Sequence, residues 1–314
     1  MENNLIVTSN PHITDNVSTR KLMGNVVISL VPCIIASAMI FGLRALLLTA
    51  VTTAACVGFE YLYCMLMKKP NPVGDLSAVV TGIILAMNFP VTLPLWMGIV
   101  GAFISIVLVK QLFGGLGYNF ANPALVGRIA LFSGFSSAMT NWKFPAAAVD
   151  QLSSATPLQV ADPSALNLMD LFLGVHGGVM GETCALAILI GFVWLVATKT
   201  ISPAIPVTYL ATVAVMSLLC GQNVMVQLLS GGLLFGAVFM ATDYATSPFT
   251  LKGKIVFGIG LGIITSAIRF WGNMAEGVSF AILLMNLWVP YINDLTHQVP
   301  LGYKKPEKKK EAAK

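Results

Sequence analysis

Thr156 lies in Asp150-Gln151-Leu152-Ser153-Ser154-Ala155-Thr156-Pro157, a polar run of small residues in an otherwise apolar chain. The small neighbours Ser153, Ser154 and Ala155 leave the threonine hydroxyl open to an approaching enzyme. Pro157 biases Thr156 toward an extended backbone, which presents its side chain. The plainer reading of the same letters is a serine/threonine turn. A second set of residues carries charge among apolar neighbours: Glu60, Arg128 and Asp243, with Asp75, Glu276 and Asp294 near the ends of apolar runs. A charge at the centre of a bilayer costs about 2.5–3.5 kcal/mol even on insertion scales. Glu60 and Asp243 are therefore the leading candidates for ligands on an ion path. Glu60 and Arg128 could also pair across a bundle. Asp75, Asp243 and Glu276 have the alternative of capping helices or meeting lysines at a surface, and Asp294 reads as interfacial.

The elements that must position these residues are membrane helices. The chain has 314 residues, of which 56% are apolar and 10% charged, and its mean hydropathy is +0.82. A soluble domain is about 25% charged, so this is an all-α polytopic membrane protein. Six of its 18 Lys and Arg fall in the last eleven residues, and no basic stripe alternates with aromatics. That end reads as a solvated tail beside a membrane, and nucleic acid is not an expected partner. Residues 1–19 are polar and lack the apolar core of a cleaved signal. Cys33, Cys56, Cys64, Cys184 and Cys220 contain no CxxC pair and read as packing residues.

A helix needs about 20 apolar residues to cross a core of roughly 30 Å. That rule gives ten spans, at about 22–41, 45–67, 76–89, 93–112, 122–138, 183–199, 204–220, 224–241, 254–271 and 277–294. Asn88-Phe89-Pro90 and Asn122-Pro123 interrupt or bound short spans. Broken backbone survives in lipid only where protein or a cavity satisfies it, which points to an interior pathway. The chain divides into a cytoplasmic segment 1–21, a five-helix half 22–138, a loop 139–182, a second five-helix half 183–295 and a basic tail 296–314. With the N-terminus inside, fourteen of the eighteen Lys and Arg, Lys110 among them, fall on the cytoplasmic side. Both termini are then cytoplasmic and the Thr156 loop is external. Five spans per half make any repeat an inverted one. Thr81-Gly82-Ile83-Ile84-Leu85 resembles Gly231-Gly232-Leu233-Leu234-Phe235, and Phe113-Gly114 resembles Trp271-Gly272.

Other patterns carry less. Gly114-Gly115-Leu116-Gly117 lacks the third glycine and the strand of a dinucleotide fingerprint and reads as a turn. Asn122-Pro123-Ala124 has no counterpart in the second half. His12, His176 and His297 are too scattered for a metal site, and neither an NAD motif nor iron–sulfur spacing is present.

The spacing Asp150-x-x-Ser153-x-Ala155-Thr156 is similar to the sequence at which bacterial flavin transferases join FMN to threonine through its phosphate. Asn10-Pro11-His12, Ser18-Thr19-Arg20-Lys21-Leu22-Met23, Phe120-Ala121-Asn122-Pro123-Ala124 and Thr242-Asp243-Tyr244-Ala245-Thr246-Ser247-Pro248 carry a wider resemblance. In that order, from about residue 9 to about 295, they resemble the RnfD/NqrB family. Its members are the RnfD proteins of the Rnf complex and the NqrB proteins of the sodium-pumping NADH:quinone oxidoreductase. The short amino end is more similar to the Rnf member. Ser154 departs from the family, where glycine is more usual.

The resemblance implies an inner-membrane, ion-pumping ferredoxin:NAD oxidoreductase in which this chain is one component, inactive alone. It implies covalent FMN on Thr156 outside the membrane, a flavin transferase during maturation, and the other Rnf proteins as partners. It also implies ten helices in two inverted repeats, similar to urea and ammonium transporters, and leaves room for a second, non-covalent flavin such as riboflavin. The coupling ion, Na⁺ or H⁺, stays open. A solute channel of the same fold and a structural scaffold without redox role are the competing readings, and neither requires a flavinylation motif.

Overall fold

The computed structural model describes residues 17–70, 72–142, 158, 167–174, 176–272 and 277–297. Among them there are helices and no strand. The elements run α1 Thr19–Phe41, α2 Leu43–Leu66, α3 Ser77–Met87, α4 Leu95–Phe103 with a π-helical continuation Ile104–Gln111, α5 Pro123–Gly134, the single turn α6 Ser136–Met139 and α7 Leu168–Leu173. They continue with α8 Ala185–Ala197, α9 Ala204–Leu219, α10 Val224–Leu229, α11 Leu233–Phe235 with a π-helical continuation Gly236–Met240, α12 Leu251–Trp271 and α13 Val278–Thr296.

Among the described residues four helices, α1, α2, α12 and α13, are long and apolar enough to cross a membrane. The shortest of them has 19 residues, which at about 1.5 Å per residue is close to the apolar thickness of a bilayer. Five shorter apolar helices, α3, α4 with its continuation, α5, α8 and α9, complete the set. The predicted spans coincide with these helices to within a few residues, with one exception. The interval 224–241 is broken at Ser230-Gly231-Gly232 into α10 and α11.

Local chemistry explains the helix ends. The Ser18 hydroxyl accepts the Lys21 N–H at 3.2 Å and starts α1. Gly42, at φ 81, ends α1 and lets α2 begin at once. Polar residues inside these helices satisfy themselves on their own backbone. Ser29 and Ser37 donate to Val26 O and Ile34 O, and Thr49 to Ala45 O. The opposite faces carry exposed Ile28, Ile35, Met39 and Leu47, which suits lipid.

Contacts between helices follow small residues. On α12, Gly258 and Gly262 are spaced one turn apart and meet Thr208 and Thr212 of α9, with no room for a Cβ at either glycine. In the first half α2 packs on α3 and α4, and there Gly82 lies against Thr53. Between the halves, α1 packs on α8 and α5 on α13. The core they enclose includes Leu48, Leu85, Met87, Phe89, Phe235 and Phe257.

Candidate functional site: buried charges beside two short helices

Two short helices, α3 and α11, are each entered through a left-handed residue, Leu76 at φ 65 and Gly232 at φ 70. Each also begins beside a carboxylate. Asp75 Oδ1 accepts the Ser77 N–H at 2.7 Å and the Ser77 hydroxyl at 2.5 Å. Glu182 packs against Gly232 so closely that a Cβ there would meet its carboxylate. Negative charge at a helix N-terminus is favoured by the unpaired N–H groups and the helix dipole.

Each carboxylate is linked to a buried cation. Lys110, in the π-helical segment after α4, is 1% exposed. Its ammonium lies 2.6 Å from Glu60 Oε1 and donates to Ser77 Oγ at 2.6 Å. Gln111 Nε2 donates to the same Glu60 oxygen at 2.7 Å. The chain Glu60–Lys110–Ser77–Asp75 thus ties α2, α4 and the start of α3 together. On the other side, Arg128 Nη1 lies 3.2 Å from Glu182 Oε1 and donates to Asn88 Oδ1 at 2.9 Å and to Ser279 Oγ at 2.7 Å.

The backbone freed around α3 finds partners within the protein, as membrane depth requires. Met180 and Gly181 donate their N–H groups to Phe89 O and Met87 O at 3.2 and 2.8 Å. Asn122, the N-cap of α5, accepts the Ala124 N–H and donates to Met240 O at 3.2 Å, at the end of the second π-helical segment. Single turns of π-helix recur at functional sites because they re-aim side chains. Here one delivers Lys110 and Gln111, and the other ends three residues before Asp243.

A cavity of about 60 Å³ opens between these elements, lined among others by Ser77, Thr81, Lys110, Asn119, Asn122 and Asp243. That is room for a few waters or one ion with part of its shell. Thr246 donates to Asp243 Oδ2 at 2.9 Å. The Tyr244 hydroxyl donates to Thr200 O.

Of the residues predicted from sequence, Glu60 is fully buried and Asp243 faces the cavity. Lys110 stands between them. Glu60 and Arg128 do not pair with each other, because each has a nearer partner of opposite charge. The charge count places Lys110 on the cytoplasmic side, near the end of the span 93–112, and the structure buries it there against Glu60. Asp75 caps α3, as one of its two readings holds. Asp150, Ser153, Ser154, Ala155, Thr156 and Glu276 lie outside the described residues. Lys110, Gln111, Asn88 and Glu182 do not stand out in the sequence as site residues. For Lys110 and Gln111 a signal exists, since the apolar pair Leu112-Phe113 follows them and keeps them within the run.

The profile of the NQR2, RnfD, RnfE family matches residues 6–302. The D component of the Na(+)-translocating ferredoxin:NAD(+) oxidoreductase complex of Acetobacterium woodii is 44% identical, over 99% of this chain and 99% of the relative. Its counterpart in the proton-translocating ferredoxin:NAD(+) oxidoreductase complex of Clostridium ljungdahlii is 35% identical, over 96% and 97%. The D component of the ion-translocating oxidoreductase complex of Stutzerimonas stutzeri is 35% identical, over 88% and 90%.

Proposed function

The chain belongs to the NQR2, RnfD, RnfE family, and on that premise we propose that it is the RnfD membrane protein of an ion-translocating ferredoxin:NAD oxidoreductase complex. The observation that carries this reading is the end-to-end similarity, at 44% identity, to a relative with that role in its name. Activity belongs to the assembled complex, with the other Rnf proteins supplying the donor and acceptor sites that this sequence lacks.

In this reading Thr156 carries FMN through a phosphoester, and Asp150, Ser153, Ser154 and Ala155 form the recognition sequence of a flavin transferase. The flavin, when attached, supplies one- or two-electron transfer; the chain supplies the hydroxyl, the tether and the position. Anchoring the phosphate leaves the ring free and keeps the cofactor from being lost outside the cell, where no free pool would replace it. A second, non-covalent flavin such as riboflavin is compatible with this reading.

Ten spans in two inverted halves, both termini in the cytoplasm of a bacterial inner membrane and the Thr156 loop outside complete the proposal. Electron transfer is coupled to Na⁺ or H⁺ movement, with Glu60 and Asp243 on the ion path. The burial of Glu60 beside Lys110 and the position of Asp243 on the wall of the cavity support that path. An in-gel flavin fluorescence band at the mass of this chain, after denaturation, tests the redox role. A solute channel or a scaffold of the same fold gives no such band.

A further inference from the structure

A second cavity, of about 470 Å³, lies where α8 turns into α9 and α12 begins. Lys199 and Lys254 both line it, and among the described residues no carboxylate does. The two described ion pairs join Lys110 to Glu60 and Arg128 to Glu182, so neither ammonium of this cavity has an anionic partner among the described residues. Like charges on one cavity repel each other, and an anion between them replaces that repulsion with attraction. Hydroxyl donors stand beside them. Ser247 lines the cavity, is 8% exposed and makes no hydrogen bond through its hydroxyl to any described residue. Ser202 Oγ accepts the Ala204 N–H at 3.4 Å, which leaves its own proton to donate.

We propose that this cavity binds the phosphate group of an anionic phospholipid between Lys199 and Lys254, with Ser247 and Ser202 as hydrogen-bond donors. Phosphate takes charge-assisted hydrogen bonds, and here ammonium and hydroxyl groups offer them without a competing carboxylate. A lipid suits the site better than free phosphate because the wall continues into apolar surface. Val196 and Ile205 line the cavity. Val193, one turn before Val196, is 65% exposed, and Leu251, one turn before Lys254, is 64% exposed. Lys254 lies in the first turn of α12, a helix long enough to span, and so at the depth of the headgroups. Basic pockets between membrane helices take anionic headgroups in this way. Bound there, the lipid ties the α8–α9 turn to the start of α12. The site does not depend on the ion-path reading.

The test is equilibrium binding of phosphatidylglycerol with a fluorescent acyl chain to the purified complex in an uncharged detergent. Phosphatidylcholine with the same label is the zwitterionic control. Phosphatidylglycerol is expected to bind at least about tenfold more tightly, with the preference shrinking as salt is added; equal binding of the two overturns the proposal. Lys199→Asn/Lys254→Gln is expected to weaken phosphatidylglycerol binding about 25-fold, about fivefold for each lysine. Asparagine suits position 199, where φ is 53. Ser247→Ala keeps both charges, serves if the double variant fails to assemble, and is expected to weaken binding at least about threefold. Binding within twofold of wild type in either assembled variant overturns the site. Lys252→Gln removes an exposed lysine outside the cavity and is expected to leave binding unchanged; a loss as large as that of the double variant means diffuse surface charge and also overturns it. Millimolar inorganic phosphate separates the two sources. Unchanged lipid binding supports a lipid site, and displacement of the lipid overturns it in favour of free phosphate.

Discussion

Arg128 Nη1 lies 3.2 Å from Glu182 Oε1, with both side chains almost fully buried. The pair joins α5 to the segment that leads into α8, and the same guanidinium holds Asn88 at the end of α3 and Ser279 at the start of α13. One arginine therefore fixes four segments drawn from both halves of the chain. Taking one charge from a buried pair costs about 3–5 kcal/mol, because the other is left uncompensated, whereas taking both costs much less. Arg128→Met or Glu182→Gln alone is expected to lower the melting temperature of the purified complex more than Arg128→Met/Glu182→Gln does. Additive losses in the double variant would mean that the two side chains act independently.

The approach of α9 to α12 gives a second expectation. Gly258 and Gly262 leave no space for a Cβ against Thr208 and Thr212. Gly262→Leu forces the helices apart and is expected to cost about 1–3 kcal/mol or more, the usual cost of overpacking. A thermal unfolding curve of the protein in detergent checks this. An unchanged midpoint would show that the two helices part freely.

Ion coupling gives the third. Glu60→Gln deprives Lys110 of its partner, and Asp243→Asn removes the carboxylate at the cavity. Each is expected to reduce ion pumping in vesicles more than it reduces ferredoxin–NAD electron transfer. Equal losses in both readouts would point to assembly rather than coupling, and unchanged pumping in both variants would remove these acids from the ion path.

Topology gives the fourth. Even with the buried Lys110 left out of the count, thirteen of the other seventeen Lys and Arg are on the proposed cytoplasmic side against four elsewhere, so the charge asymmetry does not depend on it. A cysteine introduced at Ala147 is expected to react with an impermeant thiol reagent added outside, and one introduced at Lys308 is not. The reverse pattern inverts the protein and moves the Thr156 loop to the cytoplasm.

The helices are legible in the sequence because apolar length and punctuation are local properties. Ser18 and Gly42 mark the two ends of α1, and Pro123 marks the start of α5. The break at Ser230-Gly231-Gly232 is not, because a short interruption barely lowers the hydropathy of its window. The match of Gly82 with Gly232 misleads about local roles: Gly82 sits inside α3 against Thr53, whereas Gly232 is the left-handed entry to α11, a role that Leu76 fills for α3. Glu60 is legible as a charge among apolar residues, but its partner is not. Lys110 is fifty residues away in sequence, and only the packing of α2 on the π-helical end of α4 brings the two together. Glu182 is hidden for the same reason, since its pairing depends on α5. The flavinylation motif is legible only through resemblance, because a threonine among small residues has no distinguishing signature of its own.

The most direct measurement is mass spectrometry of the peptide containing Thr156, taken from cells with an active flavin transferase. Thr156→Ala removes the accepting hydroxyl and little else, so the protein is expected to insert and assemble. The wild-type peptide is expected to carry an FMN moiety on Thr156, the Thr156→Ala peptide none, and the assembled Thr156→Ala complex is expected to lose electron transfer. An unmodified wild-type peptide from those cells would contradict the assignment of this chain as a flavin-bearing protein.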